Sequence, residues 1–230
     1  MSDILIIGGS SGIGLATAQQ LLAQGANVTA TFNSKNTDQA PGVNFFHLDV
    51  MDQNASMDFI PESLDGLVYC PGSINLRPFE RIKPADFERD YHLQVVGAIR
   101  IIQAALPALR KSGNASILLF STVAVRSGLP FHSLVSASKG AIEGLCVSLA
   151  AEFAPKVRVN CIAPSLTETP LAAQLINTEQ KKELNAARHP MKRIGSPADI
   201  ANMATFLLSP QASWITGQVL HVDGGMSAIR

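Results

Sequence analysis

Residues 3–25 read DILIIGGSSGIGLATAQQLLAQG, and the fold follows from how this stretch is parsed. Ile4 to Ile7 is a short apolar run of strand length and strand composition. It runs into a glycine cluster, Gly8, Gly9, Gly12 and Gly14, with Ser10 and Ser11 between them. From Ile13 onward Ala, Leu and Gln dominate, which favours a helix, and Gly25 stands where a left-handed residue would stop it. A strand that turns through glycines into a helix aims free backbone N–H groups and a helix dipole at one point. That point suits a phosphate, and small residues let the backbone approach it closely. Gly8-Gly9-Ser10-Ser11-Gly12 also fits G-x-S-x-G, the strained turn that carries a hydrolase nucleophile. Such an elbow follows several strands and precedes an acid and a histidine. Here the turn sits on the first strand, and Gly14 is a glycine the elbow does not need.

The rest of the composition narrows the class. The chain has 230 residues, 47% of them hydrophobic, enough for one sizeable α/β core and no obvious second domain. Formal charge is zero and no basic block is interleaved with aromatics, which argues against nucleic acid or an anionic membrane as partner. By inspection no apolar run approaches the roughly 20 residues that span a bilayer. The N-terminus reaches its glycines too soon for a secretory signal. Cys70, Cys146 and Cys161 are scattered and odd in number, so they read as free thiols of a cytoplasmic protein. His47, His92, His132, His189 and His221 form no i, i+4 pair, and no metal site is expected.

Strand and helix patterns then alternate along the chain. Asn27 to Phe32, Val43 to Leu48, Leu67 to Cys70, Ile117 to Phe120, Val157 to Ile162 and Val219 to Val222 read as further strands. Met51 to Ser63 is polar, broken by Pro61, and holds a helical stub at most. Pro84 opens a long helix that Pro107 kinks and Gly113 ends. A second long helix runs from about Val135 to Phe153, with a small face of Ala137, Gly140, Ala141 and Gly144. A polar helical region, Glu168 to Arg188, and a helix from Pro197 to Leu208 follow. The expectation is one α/β domain over residues 1–230, a doubly wound parallel sheet of about seven strands with helices on both faces. Ligands of such folds collect at the carboxyl ends of the strands.

These residues resemble the short-chain dehydrogenase/reductase family over nearly the whole chain. Gly8-x-x-x-Gly12-Ile13-Gly14 has the family's glycine spacing, and His47-Leu48-Asp49-Val50 is similar to its third-strand end, where the Asp contacts adenine. Val157-Arg158-Val159-Asn160 with Pro164, Thr167 and Thr169 resembles the sixth strand and the loop over the nicotinamide. Arg193 to Asp199 and Thr216 to Gly225 resemble the C-terminal signature. The resemblance implies a Rossmann-type fold, a nicotinamide cofactor, a variable substrate loop at residues 166–192, and a dimer or tetramer built through the two long helices. It places the cofactor on Gly8, Ser10, Ser11, Gly12, Ile13, Gly14, Asp49, Val50, Cys70, Pro71, Gly72, Lys139, Pro164, Thr167 and Thr169. An acidic residue ending the second strand would bond the adenine ribose hydroxyls and favour NAD. Here that region is Phe32, Asn33, Ser34 and Lys35, without a carboxylate, so NADP is favoured over NAD.

The catalytic positions depart from the family. Its members use an Asn, a Ser, a Tyr as general acid/base, and a Lys four residues after that Tyr. Ser136-Ala137-Ser138-Lys139-Gly140 resembles the Lys segment, so Lys139 matches, but Val135 stands where the Tyr would be. Thr122 takes the Ser position, Gln94 the Asn position, and Tyr69-Cys70-Pro71-Gly72 replaces the fourth-strand Asn-Asn-Ala-Gly. Valine cannot exchange a proton, and general acid help is typically worth 10²–10⁴-fold. His132, seven residues before Lys139, has the spacing that related enoyl reductases use for their tyrosine, and an imidazole suits proton transfer. Tyr91 lies one turn before Gln94. Two functions are carried forward. One is an NADP-dependent oxidoreductase acting on a small carbonyl, alcohol or activated C=C substrate with an unconventional proton donor. The other is an NADP-binding sensor or partner subunit without turnover.

Overall fold

A computed structural model of the chain describes residues 2–34 and 40–229. Lys35 therefore lies outside the described residues. Seven strands form one parallel sheet in the order β3-β2-β1-β4-β5-β6-β7. They are β1 (Asp3–Ile7), β2 (Asn27–Phe32), β3 (Asn44–His47), β4 (Gly66–Tyr69), β5 (Ala115–Phe120), β6 (Val157–Pro164) and β7 (Val219–Val222). The helices are α1 (Gly12–Ala23), α2 (Pro84–Tyr91), α3 (Gly97–Ser112), α4 (Ala124–Ser127), α5 (Ser133–Phe153), α6 (Glu179–Ala187) and α7 (Pro197–Leu208). The expected doubly wound fold is the observed one.

The central strands are apolar throughout because both faces are covered. On one face Ile4, Ile6, Val68 and Leu118 pack with Ala18 and Leu21 of α1 and Ile200, Ala204 and Leu207 of α7. On the other, Leu5, Ile7, Leu67, Ile117 and Leu119 pack with Ile101 and Leu109 of α3 and Ile142 and Cys146 of α5. Alternation along β1 and β5 thus separates two cores, as a strand's period of two requires.

Two expectations need correction, and residues 51–63 keep within theirs. The run from Pro84 to Ser112 is not one regular helix: His92–Val96 forms a π-helical turn between α2 and α3. The irregularity falls there, while α3 carries Pro107 inside it as a continuous α-helix. Tyr69 provides the physical reason, since its buried hydroxyl donates to the Leu93 carbonyl at 2.6 Å, inside the π turn. No helix forms over residues 51–63. Instead the Arg100 guanidinium donates to the carbonyls of Val50, Asp52 and Gln53 at 2.7–3.3 Å and ties that segment to α3. Finally, 84–112 and 133–153 are, by length and composition, apolar enough to cross a bilayer, with a mean hydropathy of 1.3. Scattered polar residues had masked this in the sequence; both helices pack on the sheet through the core containing Ile101 and Ile142.

Candidate functional site

The strand ends gather the predicted residues. Gly8, at φ 76°, donates its N–H to the Thr31 hydroxyl at 3.0 Å, and Gly9 donates to the Thr31 carbonyl at 2.9 Å. These bonds hold the glycine turn against the end of β2. Ser11 precedes α1 without capping it through its side chain, and the first turn of α1 carries no acidic residue. The amides at this helix start are thus left for an outside acceptor. A Cβ on Gly14 would stand 2.3 Å from the Gly8 carbonyl oxygen, and one on Gly12 would stand 3.3 Å from Thr169. Only glycine lets the turn close this tightly, and the donors it presents fit a nucleotide phosphate. Ser10 makes no bond to a histidine or carboxylate among the described residues, so the nucleophile-elbow reading has no partner.

Asn33 and Ser34 lie exposed at the end of β2. Beside them, Asp49 follows β3 and accepts the Met51 N–H at 2.8 Å. Val50 turns its side chain into the core, and its carbonyl accepts from Arg100. Pro71 packs its ring 3.3 Å from the position a Gly8 Cβ would take. These groups border the glycine turn where the resemblance puts the adenosine half of a dinucleotide.

The other half of the site is one cavity of about 330 Å³. Ile13, Cys70, Gly72, Pro164, Thr167 and Thr169 line it. Gln94, Thr122, His132, Val135 and Lys139 line it with them. Residues assigned to separate roles by resemblance thus share a wall. Val135 is buried one turn before Lys139 on α5, and neither tyrosine lines the cavity. Tyr69 is bonded to Leu93, with burial pushing its hydroxyl well above the usual phenol range. Tyr91 is 43% exposed on the surface.

Lys139 is buried, and burial lowers its ammonium to about 8 against the opposing pull of nearby Asp90. Its Nζ has no hydrogen-bond partner among the described residues. Gln94 is fully buried and donates Nε2–H to Asp90 at 2.7 Å, while its Oε1 finds no donor. His132 pairs Nδ1 with the Pro130 carbonyl at 2.6 Å and leaves Nε2 available to the cavity. Burial pushes the Cys70 thiol up to about 12, which makes it inert at ordinary pH.

Two clusters went unnoticed in the sequence. Asp90, 6% exposed, accepts from Gln94, from Ser138 at 2.6 Å and from Ser73. The i, i+4 spacing of Asp90 and Gln94 was a visible signal; the two serines come from other elements and gave none. His189, 3% exposed, bonds Ser165 through Nε2 and the Asn185 carbonyl through Nδ1, both at 2.8 Å, and borders the same cavity. It lies inside the expected substrate loop, where no residue pattern marked it.

The comparisons with known proteins agree with this geometry. Residues 8–227 match the family model described as Enoyl-(Acyl carrier protein) reductase. The chain is 32% identical to 2-(S)-hydroxypropyl-CoM dehydrogenase 3 of Xanthobacter autotrophicus, over 98% of this chain and 96% of that protein. Aldohexose dehydrogenase of Thermoplasma acidophilum, solved ligand-free, superposes with a TM-score of 0.91 at 30% identity, covering 100% of this chain and 94% of the other. A structure described as ElxO with NADP bound gives 0.89 at 27% identity, covering 98% and 99%. A strand-to-helix glycine turn, a seven-stranded parallel sheet and dehydrogenase relatives of matching length lead to one conclusion: the chain belongs to the short-chain dehydrogenase/reductase family of nicotinamide-dependent oxidoreductases.

Proposed function

We propose that this protein is an NADP(H)-dependent oxidoreductase that interconverts a small carbonyl compound and its alcohol, or reduces an activated C=C bond, without a tyrosine as proton donor. The carrying observation is the single cavity in which Lys139, Thr122, Gln94 and His132 meet the edge of the glycine turn. Bound NADPH would supply the hydride. The α1 amides and glycine turn would hold its pyrophosphate, and Thr167 and Thr169 would border the nicotinamide. Lys139 would face the ribose, and the Thr122 hydroxyl would orient a substrate oxygen. Leu166, Leu171, Leu175 and Met226 give the far end of the cavity an apolar lining suited to a small, largely apolar body.

NADP is preferred because Asn33 and Ser34 end β2 without a carboxylate that would repel a 2′-phosphate. The ElxO relative, described with NADP bound, supports the same choice. The small face of α5 turns outward, where a Cβ on Gly144 would meet nothing within 4 Å, and this supports assembly of a homodimer or homotetramer through that helix. Three unpaired thiols support a cytoplasmic setting.

Purified protein should consume NADPH with at least one ketone, aldehyde or enone from a broad panel, followed by loss of nicotinamide absorbance. A second reading rests on Val135 and on the absence of both tyrosines from the cavity: nucleotide binding without turnover. Tight NADPH binding with no consumption across the panel would decide for that reading.

A further inference from the structure

With the tyrosine position held by valine, a reduction still needs a proton at the substrate oxygen. Two polar side-chain atoms of the cavity lining lie close to Gly72. The position of a Gly72 Cβ is 3.4 Å from Gln94 Oε1 and 3.6 Å from Lys139 Nζ. The first is a buried acceptor without a donor, and the second belongs to a buried lysine that lines the cavity.

Their orientation is not free. A carboxylate only accepts, so Asp90 holds the Gln94 amide with its N–H₂ inward and its oxygen toward Gly72 and Lys139. Ser138, adjacent to Lys139 on α5, and Ser73, adjacent to Gly72, also donate to Asp90. The carboxylate therefore ties together the three segments that surround the lysine. Other titratable groups around Lys139 are Cys70, just after β4, and Cys161 of β6, while His132 lines the same cavity. Burial raises both thiols, Cys70 to about 12 and Cys161 further, so they stay neutral where the lysine titrates. Glu143, one turn beyond Lys139, is engaged by Ser121 at 2.7 Å. Cys161, Asp90 and Cys70 all oppose the effect of burial on this ammonium, and Asp90 is the carboxylate among them.

We propose that Lys139 is the proton donor of the reaction, and that Asp90 is a positioning residue that holds Gln94 and the lysine for that role. This rests on the oxidoreductase reading. As the substrate carbon receives the hydride from reduced nicotinamide, one Nζ–H bond breaks. Its proton passes to the carbonyl or enolate oxygen, and the neutral amine takes a proton back from water. Burial pulls the ammonium down to about 8, which leaves it protonated but acidic enough to give up a proton near neutral pH. The neighbouring Asp90 charge raises the same group, so its removal lowers the value further.

Two measurements test this. In the first, kcat for NADPH-dependent reduction is followed against pH. The wild type should hold its rate below about pH 8 and lose it above. Asp90→Asn should move that limb down by about one pH unit, and His132→Ala should leave it in place. Lys139→Arg keeps a cation that does not release its proton. It should lower kcat by ~10²-fold or more while NADPH affinity changes less than tenfold. In the second, the cofactor-free protein is acylated with acetic anhydride over a pH series, and Lys139 modification is read by peptide mass spectrometry. Its midpoint should lie near 8 and fall in Asp90→Asn. Turnover with a limb that follows His132, or a Lys139→Arg variant of wild-type kcat, would overturn the donor assignment alone. An acylation midpoint near that of a solvent lysine would also overturn it. Absence of turnover on every substrate would overturn the oxidoreductase reading, and the donor with it.

Discussion

Gly14→Ala is the sharpest test of the phosphate cradle. Gly14 is buried in the first turn of α1, and an added Cβ would stand 2.3 Å from the Gly8 carbonyl oxygen. It would also stand 3.1 Å from Gly8 C and Gly9 Cα. All three are backbone atoms of the turn itself, so no side chain can swing aside, and the helix start must part from the turn by about 1 Å. Forced overpacking of this kind typically costs ~1–3 kcal/mol. A chain of this length loses ~2–4 °C of Tm per kcal/mol, so melting should fall by roughly 2–12 °C. The amides that face a phosphate move with the helix. Loss of one charge-assisted hydrogen bond, ~1.5–3 kcal/mol, weakens NADPH binding by roughly 10–100-fold. Gly25→Ala is the control. Gly25 has φ 83° and open space around its Cβ position. It should cost only ~1 kcal/mol of backbone strain and leave the nucleotide alone. Thermal unfolding and calorimetric titration of both variants read the two effects separately. A folded Gly14→Ala protein that binds NADPH as tightly as wild type would refute the cradle.

Three further outcomes are expected. Val135→Tyr places a phenol one turn from Lys139 and should raise kcat for carbonyl reduction by about tenfold or more in steady-state assays; unchanged kcat in a folded variant counts against vacancy at this position. NADPH should bind more tightly than NADH in calorimetry, and Lys35→Ala should narrow the gap; equal affinities for the two would refute the reading of the β2 end. At α7, Arg193 and the Ser196 capping box hold the Asp199 carboxyl well below the usual range. A depressed carboxyl gives stability that is present above its unfolded value, near 4, and is lost as pH falls through the folded one. Asp199→Asn should therefore cost ~1 kcal/mol at pH 7, and its Tm deficit should shrink below pH 4; a deficit that is constant with pH would show that charge is not involved.

Residues 3–25 determined a good deal without any coordinates. The hydrophobic run, the glycines and the Ala/Leu-rich segment are local signals, and each carries its own backbone preference. They yield β1, the turn and α1, and β2 and α7 likewise begin and end where their patterns and caps place them. The resemblance of Lys139, Thr122 and Gln94 to the family's catalytic positions was read from the same linear order, because spacing along a helix or strand end survives in it.

What the chain order could not convey was decided by packing across elements. The π turn at His92–Val96 follows from a Tyr69 hydroxyl that arrives from β4. The Asp90 carboxylate gathers Ser73, Gln94 and Ser138 from three segments. A buried hydrogen bond has no sequence signature when its partners lie 17 or 48 positions apart. Nor does the sequence tell that Gln94 keeps one buried oxygen without a donor beside the cavity that Lys139 lines. Burial gives that oxygen its chemical meaning: in water it would be satisfied, and here it has no donor. The sequence by itself determined the glycine turn and the valine at position 135; the tertiary structure decided which groups share a cavity with that valine.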